Sequence, residues 1–188
     1  MHIGIIGANG FIGSHLAESL SSKSDLQLSL FGRQPVFENK TIPNYFSTSS
    51  LANEQLKEIF SSVDLVYYLA SSSIPASSWS NPGIEIETNL SPFLNFLEIF
   101  ASSGVKKVVF ISSAGTIYGP SANKIKEDAD KRPFSPHGII KFSMENFLEY
   151  YRRKCGLNYD IFRVSNVFGE GQNTAKGLGL INIFIEDI

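Results

Sequence analysis

The chain has 188 residues, a length that suits one ordinary domain of ~100–200 residues. Its 43% hydrophobic residues, with 15 Phe and 7 Tyr, exclude disorder as the main state. The balance of 16 basic against 18 acidic residues argues against a nucleic-acid or membrane-surface protein. The sequence contains no run of ~20 apolar residues, so it predicts no transmembrane helix. The lone Cys155 and the lack of a basic leader favour a cytoplasmic protein without a signal peptide.

Short apolar strands alternate with longer helical stretches along the chain. The predicted strands are His2–Ile6, Leu26–Phe31, Asn44–Ser47, Asp64–Ala70, Lys106–Ser112 and Tyr159–Phe168. The predicted helices are Phe11–Ser22, Leu51–Phe60, Ile84–Ser103 and Gly138–Lys154. The third is kinked at Pro92, or is shorter with Ser91 as N-cap and Pro92 as its first residue. Gly104 and Gly156 are expected to end the last two helices in a left-handed conformation. Apolar strands joined by right-handed helical crossovers predict an α/β fold, a doubly wound, Rossmann-like parallel sheet of about six strands with helices on both faces.

Three glycines between the first strand and the first helix predict a phosphate-binding loop. In Gly7-Ala8-Asn9-Gly10-Phe11-Ile12-Gly13, Gly7 permits the tight turn and Gly10 the approach of a pyrophosphate. Gly13 lets the helix pack closely on the strand. Free N–H groups at the helix start favour the phosphate charge. A glycine-rich turn without any ligand would have the same spacing.

The residues that end the second strand bear on the choice between NAD and NADP. A carboxylate that binds the adenosine ribose of NAD is expected ~20 residues after the loop. Phe31, Gly32 and Arg33 stand there instead. An arginine at this place accepts the 2′-phosphate of NADP, so we predict that Arg33 favours NADP over NAD. The alternative is a solvated loop arginine.

Several longer motifs follow one another in a specific order. They are GANGFIGSHL at 7–16, DLVYYLA at 64–70, Asn89, VKKVVFISSAGTIYG at 105–119, SPHGIIKFSMENFL at 135–148 and FRVSNVFGEGQ at 162–172. This set covers nearly the whole chain and resembles the extended short-chain dehydrogenase/reductase superfamily, in its nucleotide-sugar epimerase/dehydratase branch. The resemblance implies a Rossmann-like fold, an NAD(P) cofactor, a nucleoside-diphosphate sugar substrate and hydride transfer at a sugar carbon. It also implies a homodimer formed through Ile84–Ser103 and Gly138–Lys154, and no metal site.

The resemblance also assigns roles to single positions. The cofactor-binding positions are Gly7, Gly10, Phe11, Ile12, Gly13, Leu69, Ala70, Ser71 and Lys141. Of these, Lys141 is the lysine that hydrogen-bonds the nicotinamide ribose. Asn89 and Asn166 match asparagines expected at the substrate. The acid that many members place near the adenine is missing from Phe46–Ser50, so that contact is either absent or made by a hydroxyl.

His137 stands where the family has its catalytic tyrosine. The spacing of four residues to Lys141 lets both side chains share one helix face. An imidazole has an unperturbed pKa of ~6.5, and a nearby cation favours its neutral form. Three interpretations stay open: a working variant base, a mark of lost activity, and a surface histidine in a shifted register.

The hydroxyl partner of that tyrosine is also displaced. The family's serine or threonine position, four residues before Tyr118, is Ala114. Ser113 is our first candidate for the catalytic hydroxyl and Thr116 the second, while Tyr118 belongs to the turn. Ser112 and Ser113 are alternatively side chains that satisfy backbone groups at a strand end.

The family continues beyond the length of this chain into a second lobe that closes over the substrate. We expect residues 1–188 to form a dinucleotide-binding domain, with 170–188 as the start of a substrate lobe that is otherwise absent. Poorer exclusion of water then weakens catalysis, and His137→Tyr alone is expected to restore little. The main prediction is therefore an impaired or incomplete enzyme. A dinucleotide-binding or sensor module and a fragment of a longer enzyme are the alternatives.

Overall fold

The computed structural model describes residues 1–33, 44–49, 51–72, 78–173, 181 and 184. Its strands are β1 (His2–Ile6), β2 (Gln27–Gly32), β3 (Tyr45–Ser47), β4 (Leu65–Tyr68), β5 (Lys107–Ser113) and β6 (Asn158–Val164). They form one sheet in the order β3-β2-β1-β4-β5-β6, and every neighbouring pair is parallel. This arrangement confirms the predicted doubly wound parallel sheet.

Helices cover both faces of the sheet, as predicted. They are α1 (Phe11–Ser21), α2 (Asn53–Phe60), α3 (Pro82–Glu85), α4 (Ser91–Ser103), α5 (Ala114–Ile117) and α6 (Pro136–Cys155). Helix α1 packs through Ala17 on Ile3, Ile5 and Leu30 of one face. The larger core cluster, on the other face, takes its side chains from α2, α4 and α6. None of the helices within the described ranges is long and apolar enough to cross a membrane.

Aromatic rings fill much of the larger core. The Phe31 ring of β2 stacks on the Phe60 ring of α2 with centroids 4.7 Å apart, and Phe60 meets Phe100 of α4 edge-on at 4.9 Å. All three side chains are fully buried. Aromatic pairs in these geometries contribute about 0.5–1.5 kcal/mol beyond the burial of their area. They therefore fix α2 and α4 against the strand that leads to the candidate cofactor site.

The helix predicted over Ile84–Ser103 is divided by a π-helical turn at Ile86–Leu90. Within it the Ser91 N–H donates to the Ile86 carbonyl, five residues back. Pro92 follows at once, lacks an N–H, and cannot continue the α-helical ladder. The wider turn accommodates this loss, and α4 begins at Ser91 with Leu90, rather than the predicted Ser91, as its N-cap.

Other boundaries differ from the predictions for reasons that involve neighbouring elements. Helix α6 begins at Pro136 rather than Gly138, because the Ser135 Oγ accepts a hydrogen bond from the Gly138 N–H at 3.1 Å. Strand β6 ends at Val164 rather than Phe168, because its partner β5 ends at Ser113, opposite Val164. Likewise β4 ends at Tyr68, opposite the last residue of β1. The left-handed glycine caps expected at Gly104 and Gly156 are confirmed by φ values of 89° and 76°.

Gly138 fixes how closely α6 approaches α5. A Cβ at Gly138 would lie 2.5 Å from the Thr116 carbonyl oxygen, whereas a Cβ at Gly115 would meet nothing within 4 Å. We expect Gly138→Ala to lower the free energy of unfolding by about 2 kcal/mol through overpacking. Gly115→Ala, the matched control, should stay within about 0.5 kcal/mol of the native chain. Urea unfolding measures both, and equal effects would contradict the assigned contact.

Candidate active site

The glycine loop lies against the segment that follows β4. Gly7 has a φ of 88°, and a Cβ at this position would lie 2.7 Å from the Ala70 backbone nitrogen. A Cβ at Gly13 would lie 2.2 Å from the Gly7 carbonyl oxygen. Leu69 is held nearby by its N–H, which donates to the Ile6 carbonyl at 2.8 Å. Two of the three glycines are therefore required by backbone contacts, and the predicted loop and the segment at Leu69–Ser71 are brought together.

Helix α1 begins directly after the first turn of this loop, at Phe11. Its N-cap is Gly10, and no side chain caps the helix. The N–H groups of Phe11, Ile12 and Gly13 therefore have no partner from within the helix or from a capping side chain. Together with the helix dipole they suit a diphosphate. The loop thus fits the pyrophosphate of a dinucleotide cofactor, with its glycines leaving the space that the phosphates need.

The end of β2 carries Arg33 at an exposed position. Its carbonyl accepts hydrogen bonds from the hydroxyls of Ser47 at 3.2 Å and Ser49 at 3.1 Å. The preceding Gly32 is crowded, since a Cβ there would lie 2.3 Å from both the Asn9 Oδ1 and the Tyr45 hydroxyl. A side chain at position 32, such as a ribose-binding carboxylate, would therefore have to displace the side chains of Asn9 and Tyr45. Arg33 and the hydroxyl-bearing Ser47 and Ser49 lie next to Gly32.

Lys141 and His137 lie on the buried face of α6, and each is only 8% exposed. The Lys141 Nζ donates to the Ile111 carbonyl of β5 at 2.9 Å. Burial lowers the pKa of Lys141 to about 8, although the charges of Glu145 and Glu85 act in the opposite direction. Burial, reinforced by the Lys141 charge, lowers the pKa of His137 to about 4. His137 is therefore a neutral imidazole at neutral pH.

A buried ion pair ties α6 to β6. Glu145 is 5% exposed and accepts two hydrogen bonds from the Arg163 guanidinium, at 3.0 and 2.8 Å. Arg163 also donates to the Tyr118 hydroxyl at 2.7 Å, and that hydroxyl donates to the Glu127 carbonyl. Tyr118, which we predicted to belong to the turn, therefore links that turn to Glu127 and to Arg163 of β6. No local pattern in the sequence signals this pairing between a helix and a distant strand.

Asn89 is buried in the π-helical turn and holds the segment after β4. Its Oδ1 accepts hydrogen bonds from the Ser72 N–H at 2.9 Å and from the Ser72 hydroxyl at 3.2 Å. Its amide donates to the buried Glu85 carboxylate at 3.2 Å. The structure thus places Asn89 behind the cofactor-lining segment, with its amide engaged by protein groups.

An open pocket of about 430 Å³ lies at the carboxyl ends of β5 and β6. Its lining residues are Trp79, Ser113, Gly115, Thr116, Phe134, Ser135, Val164, Ser165 and Asn166. The predicted Ser113 and Asn166 are brought together here, whereas Asn89 does not line the pocket. Thr116 is 8% exposed, and its Oγ1 has no hydrogen-bond partner within the described ranges. The alternative in which Ser112 and Ser113 satisfy backbone groups at the strand end is not supported. The Ser112 Oγ has no hydrogen-bond partner within the described ranges, and the Ser113 side chain does not cap α5.

The sequence did not point to Trp79 or Phe134, because both lie in stretches without periodicity. His137 and Lys141 do not line the pocket. The helix that carries them approaches it where Gly138 packs on the carbonyl of Thr116, which is a lining residue. Within the ranges that the structure describes, no cluster of three or more His, Cys, Asp or Glu side chains could hold a metal ion.

Comparison with known proteins agrees with this geometry. The sequence profile of the NAD dependent epimerase/dehydratase family matches residues 3–188. The chain belongs to this family. A UDP-glucose 4-epimerase of Streptococcus mutans is 27% identical over 175 residues, which are 90% of this chain and 53% of the relative.

Two solved structures are similar in fold as well as in sequence. The UDP-glucose 4-epimerase of Thermotoga maritima with UDP-glucose has 32% identity and a TM-score of 0.86, over 99% of this chain and 62% of that one. The UDP-glucose 4-epimerase of Thermus thermophilus in complex with NAD has 29% identity and a TM-score of 0.82, over 93% and 58%. The chain thus spans between half and two thirds of the length of these relatives.

The low pKa of His137 predicts a pH-dependent stability. The unfolded imidazole takes up a proton near pH ~6.5, whereas the folded one resists protonation until about pH 4. The contribution of His137 is therefore complete above ~6.5, and up to about 3 kcal/mol is lost as the pH falls towards 4. His137→Gln should flatten the free energy of unfolding in this window, measured by urea titration. His15→Gln, which removes an exposed histidine, should keep the native slope, and an unchanged slope in His137→Gln would refute the assignment.

Proposed function

We propose that this chain forms the cofactor-binding part of an NAD(P)-dependent nucleotide-sugar epimerase or dehydratase. One observation carries the proposal: the glycine loop and the pocket of Ser113, Thr116 and Asn166 open at the same carboxyl edge of the sheet. The helix that carries His137 and Lys141 approaches that pocket at Thr116. Ligands of open α/β sheets bind at this edge, next to the point where the strand order reverses. The relatives solved with UDP-glucose and with NAD support the same ligand classes.

In this proposal each predicted site residue has a chemical role that its surroundings permit. The loop at Gly7–Gly13 holds the pyrophosphate, and Lys141 binds the nicotinamide ribose. When bound, NAD(P) takes up and returns a hydride at a sugar carbon. Neutral His137 accepts the proton that leaves the sugar hydroxyl, which becomes a carbonyl oxygen, and Ser113 hydrogen-bonds that oxygen. Acceptance of this proton forms an imidazolium, which burial and Lys141 disfavour, so His137 is a weak base and turnover is impaired.

The two asparagines act in different ways. Asn166 lines the pocket and is exposed, which suits direct contact with the sugar nucleotide. Asn89 serves the substrate site indirectly, because it fixes Ser72 and so orients the cofactor-lining segment. This indirect role is compatible with our prediction that Asn89 matches an asparagine expected at the substrate.

A second candidate function is a non-catalytic dinucleotide-binding or sensor module. The replacement of tyrosine by a histidine that resists protonation favours it. A fragment of a longer enzyme would have the same geometry as the proposed enzyme part or the sensor module. Cofactor and sugar-nucleotide binding with no exchange of hydride would favour the sensor.

In this proposal residues 1–188 form the dinucleotide-binding domain, and 170–188 are the start of a substrate lobe. Most of 174–188 lies outside the described residues. We place the protein in the cytoplasm because Cys155 is an exposed free thiol, which a reducing compartment keeps reduced. Cell fractionation tests this placement.

We propose that two copies of the chain associate through α3, the π-helical turn and α6. Many apolar side chains of the two helices predicted to form the dimer contact lie in the core instead, including Phe93, Phe100 and Leu148. Ile84, Ile86 and Ile139 remain exposed on these elements. Sedimentation velocity at micromolar concentration should show a dimer that Ile139→Asp dissociates. A monomeric native chain would contradict the proposal.

Calorimetric titration tests the proposed function directly. The chain should bind NAD or NADP, and the loaded chain should then bind UDP-glucose. Lys141→Met keeps the buried stem but removes the ribose contact, so cofactor affinity should fall about tenfold. Lys23→Met, an exposed lysine on the surface, should leave it unchanged. Binding of neither cofactor would overturn the proposal.

A second arm of the same titration addresses our preference for NADP. Arg33→Ala should weaken NADPH about tenfold, because it removes one charge-assisted contact, and should leave NADH unchanged. Arg132→Ala, an exposed arginine paired with Asp130, is the matched control. Equal affinity of the native chain for both cofactors would reject a role of Arg33 in selection.

A further inference from the structure

Trp79 and Phe134 form an aromatic wall at the pocket described above. Their ring centroids are 6.0 Å apart and their planes are inclined by 43°. The side chains are 55% and 54% exposed, and both line the pocket. Phe134 immediately precedes Ser135, the N-cap of α6, so the position of its backbone is fixed by the helix that carries His137 and Lys141.

Two large rings in water are unfavourable unless something covers them. The aromatic rings of Phe31, Phe60, Phe93 and Phe100 are fully buried, which shows that the fold has ample means of covering such side chains. Trp79 and Phe134 instead keep about half of their surface open at a concave site. Exposed aromatic groups at the rim of a pocket are typical of surfaces that a ligand completes.

The rest of the pocket is polar. Ser113 and Asn166 present a hydroxyl and an amide group to the pocket, whereas the Thr116 Oγ1 is buried behind the lining. The pocket therefore offers hydrogen bonds on one part of its surface and an aromatic wall on another.

We propose that this wall receives the C–H face of the hexose ring of a nucleoside diphosphate sugar, while Ser113 and Asn166 take its hydroxyls. A pyranose has this division between an apolar face and a hydroxyl rim. The inference rests on the proposed function and adds to it the residues that select the sugar. A nucleobase would use the aromatic wall but would leave most of the hydroxyl groups without partners, so the hexose is the favoured occupant.

The sequence supplies its own reporter for this contact, because Trp79 is the one tryptophan of the chain. Titration of the cofactor-loaded protein with UDP-glucose should shift the Trp79 emission to shorter wavelength, since the ring leaves water. UDP alone should bind with little shift. Phe134→Ala should weaken UDP-glucose about fivefold, as expected for loss of one aromatic contact, and should change UDP affinity less than twofold.

Tyr150→Ala is the matched control, because it removes an exposed aromatic ring from the distant half of α6. Calorimetry distinguishes failure of the aromatic wall from failure of the proposed function. Binding of UDP-glucose without a Trp79 shift, and with native affinity in Phe134→Ala, overturns the aromatic wall and leaves the proposed function standing. An equal Trp79 shift with UDP assigns the wall to the nucleobase and overturns the hexose assignment. No binding of UDP-glucose overturns both proposals, and thermal unfolding of Phe134→Ala verifies that the variant is folded.

Discussion

The backbone contact between the glycine loop and the segment after β4 is the constraint on which the rest of the site depends. Strands β1 and β4 are neighbours, yet the chain leaves β1 for α1 on one face and leaves β4 for α4 on the other. A crevice opens where the two paths diverge. Gly7 allows the two backbones to meet at its base, because a Cβ would lie 2.7 Å from the Ala70 nitrogen. The first turn of α1 therefore begins at the mouth of the crevice, where its free N–H groups can meet a phosphate.

Helix α6 organises the other half of the site through three contacts along one face. Gly138 approaches α5, Lys141 donates to the Ile111 carbonyl of β5, and Glu145 binds Arg163 of β6. The burial of a cation is costly, and the negative charges of Glu145 and Glu85 oppose the fall in the pKa of Lys141. A helix fixed in this way keeps position 137 next to the contact of Gly138 with Thr116, so that one rigid element determines both the acid/base group and the cofactor contact.

Features that depend on local sequence could be predicted, and features that depend on neighbours could not. The glycine loop, the six strands and the left-handed caps follow from apolar periodicity and from residues that only glycine satisfies. The end of β6 at Val164 is set by where β5 ends, and the start of α6 by the Ser135 side chain. Thr116, Trp79 and Phe134 come together from three separate stretches of the chain. No spacing within any one of those stretches signals the pocket that they share.

Burial and the Lys141 charge affect the pKa of His137 differently from the pKa of a tyrosine at the same position. Burial disfavours the charged form of any group, so it raises the pKa of a phenol, as it does for the buried Tyr68. A nearby cation lowers the pKa of a phenol, so for tyrosine the two effects oppose each other and can place its pKa in a useful range. For an imidazole both effects lower the pKa, and Lys141 reinforces what burial has begun. The environment that α6 builds is thus balanced for a tyrosine and one-sided for a histidine, which can accept a proton there but holds it weakly.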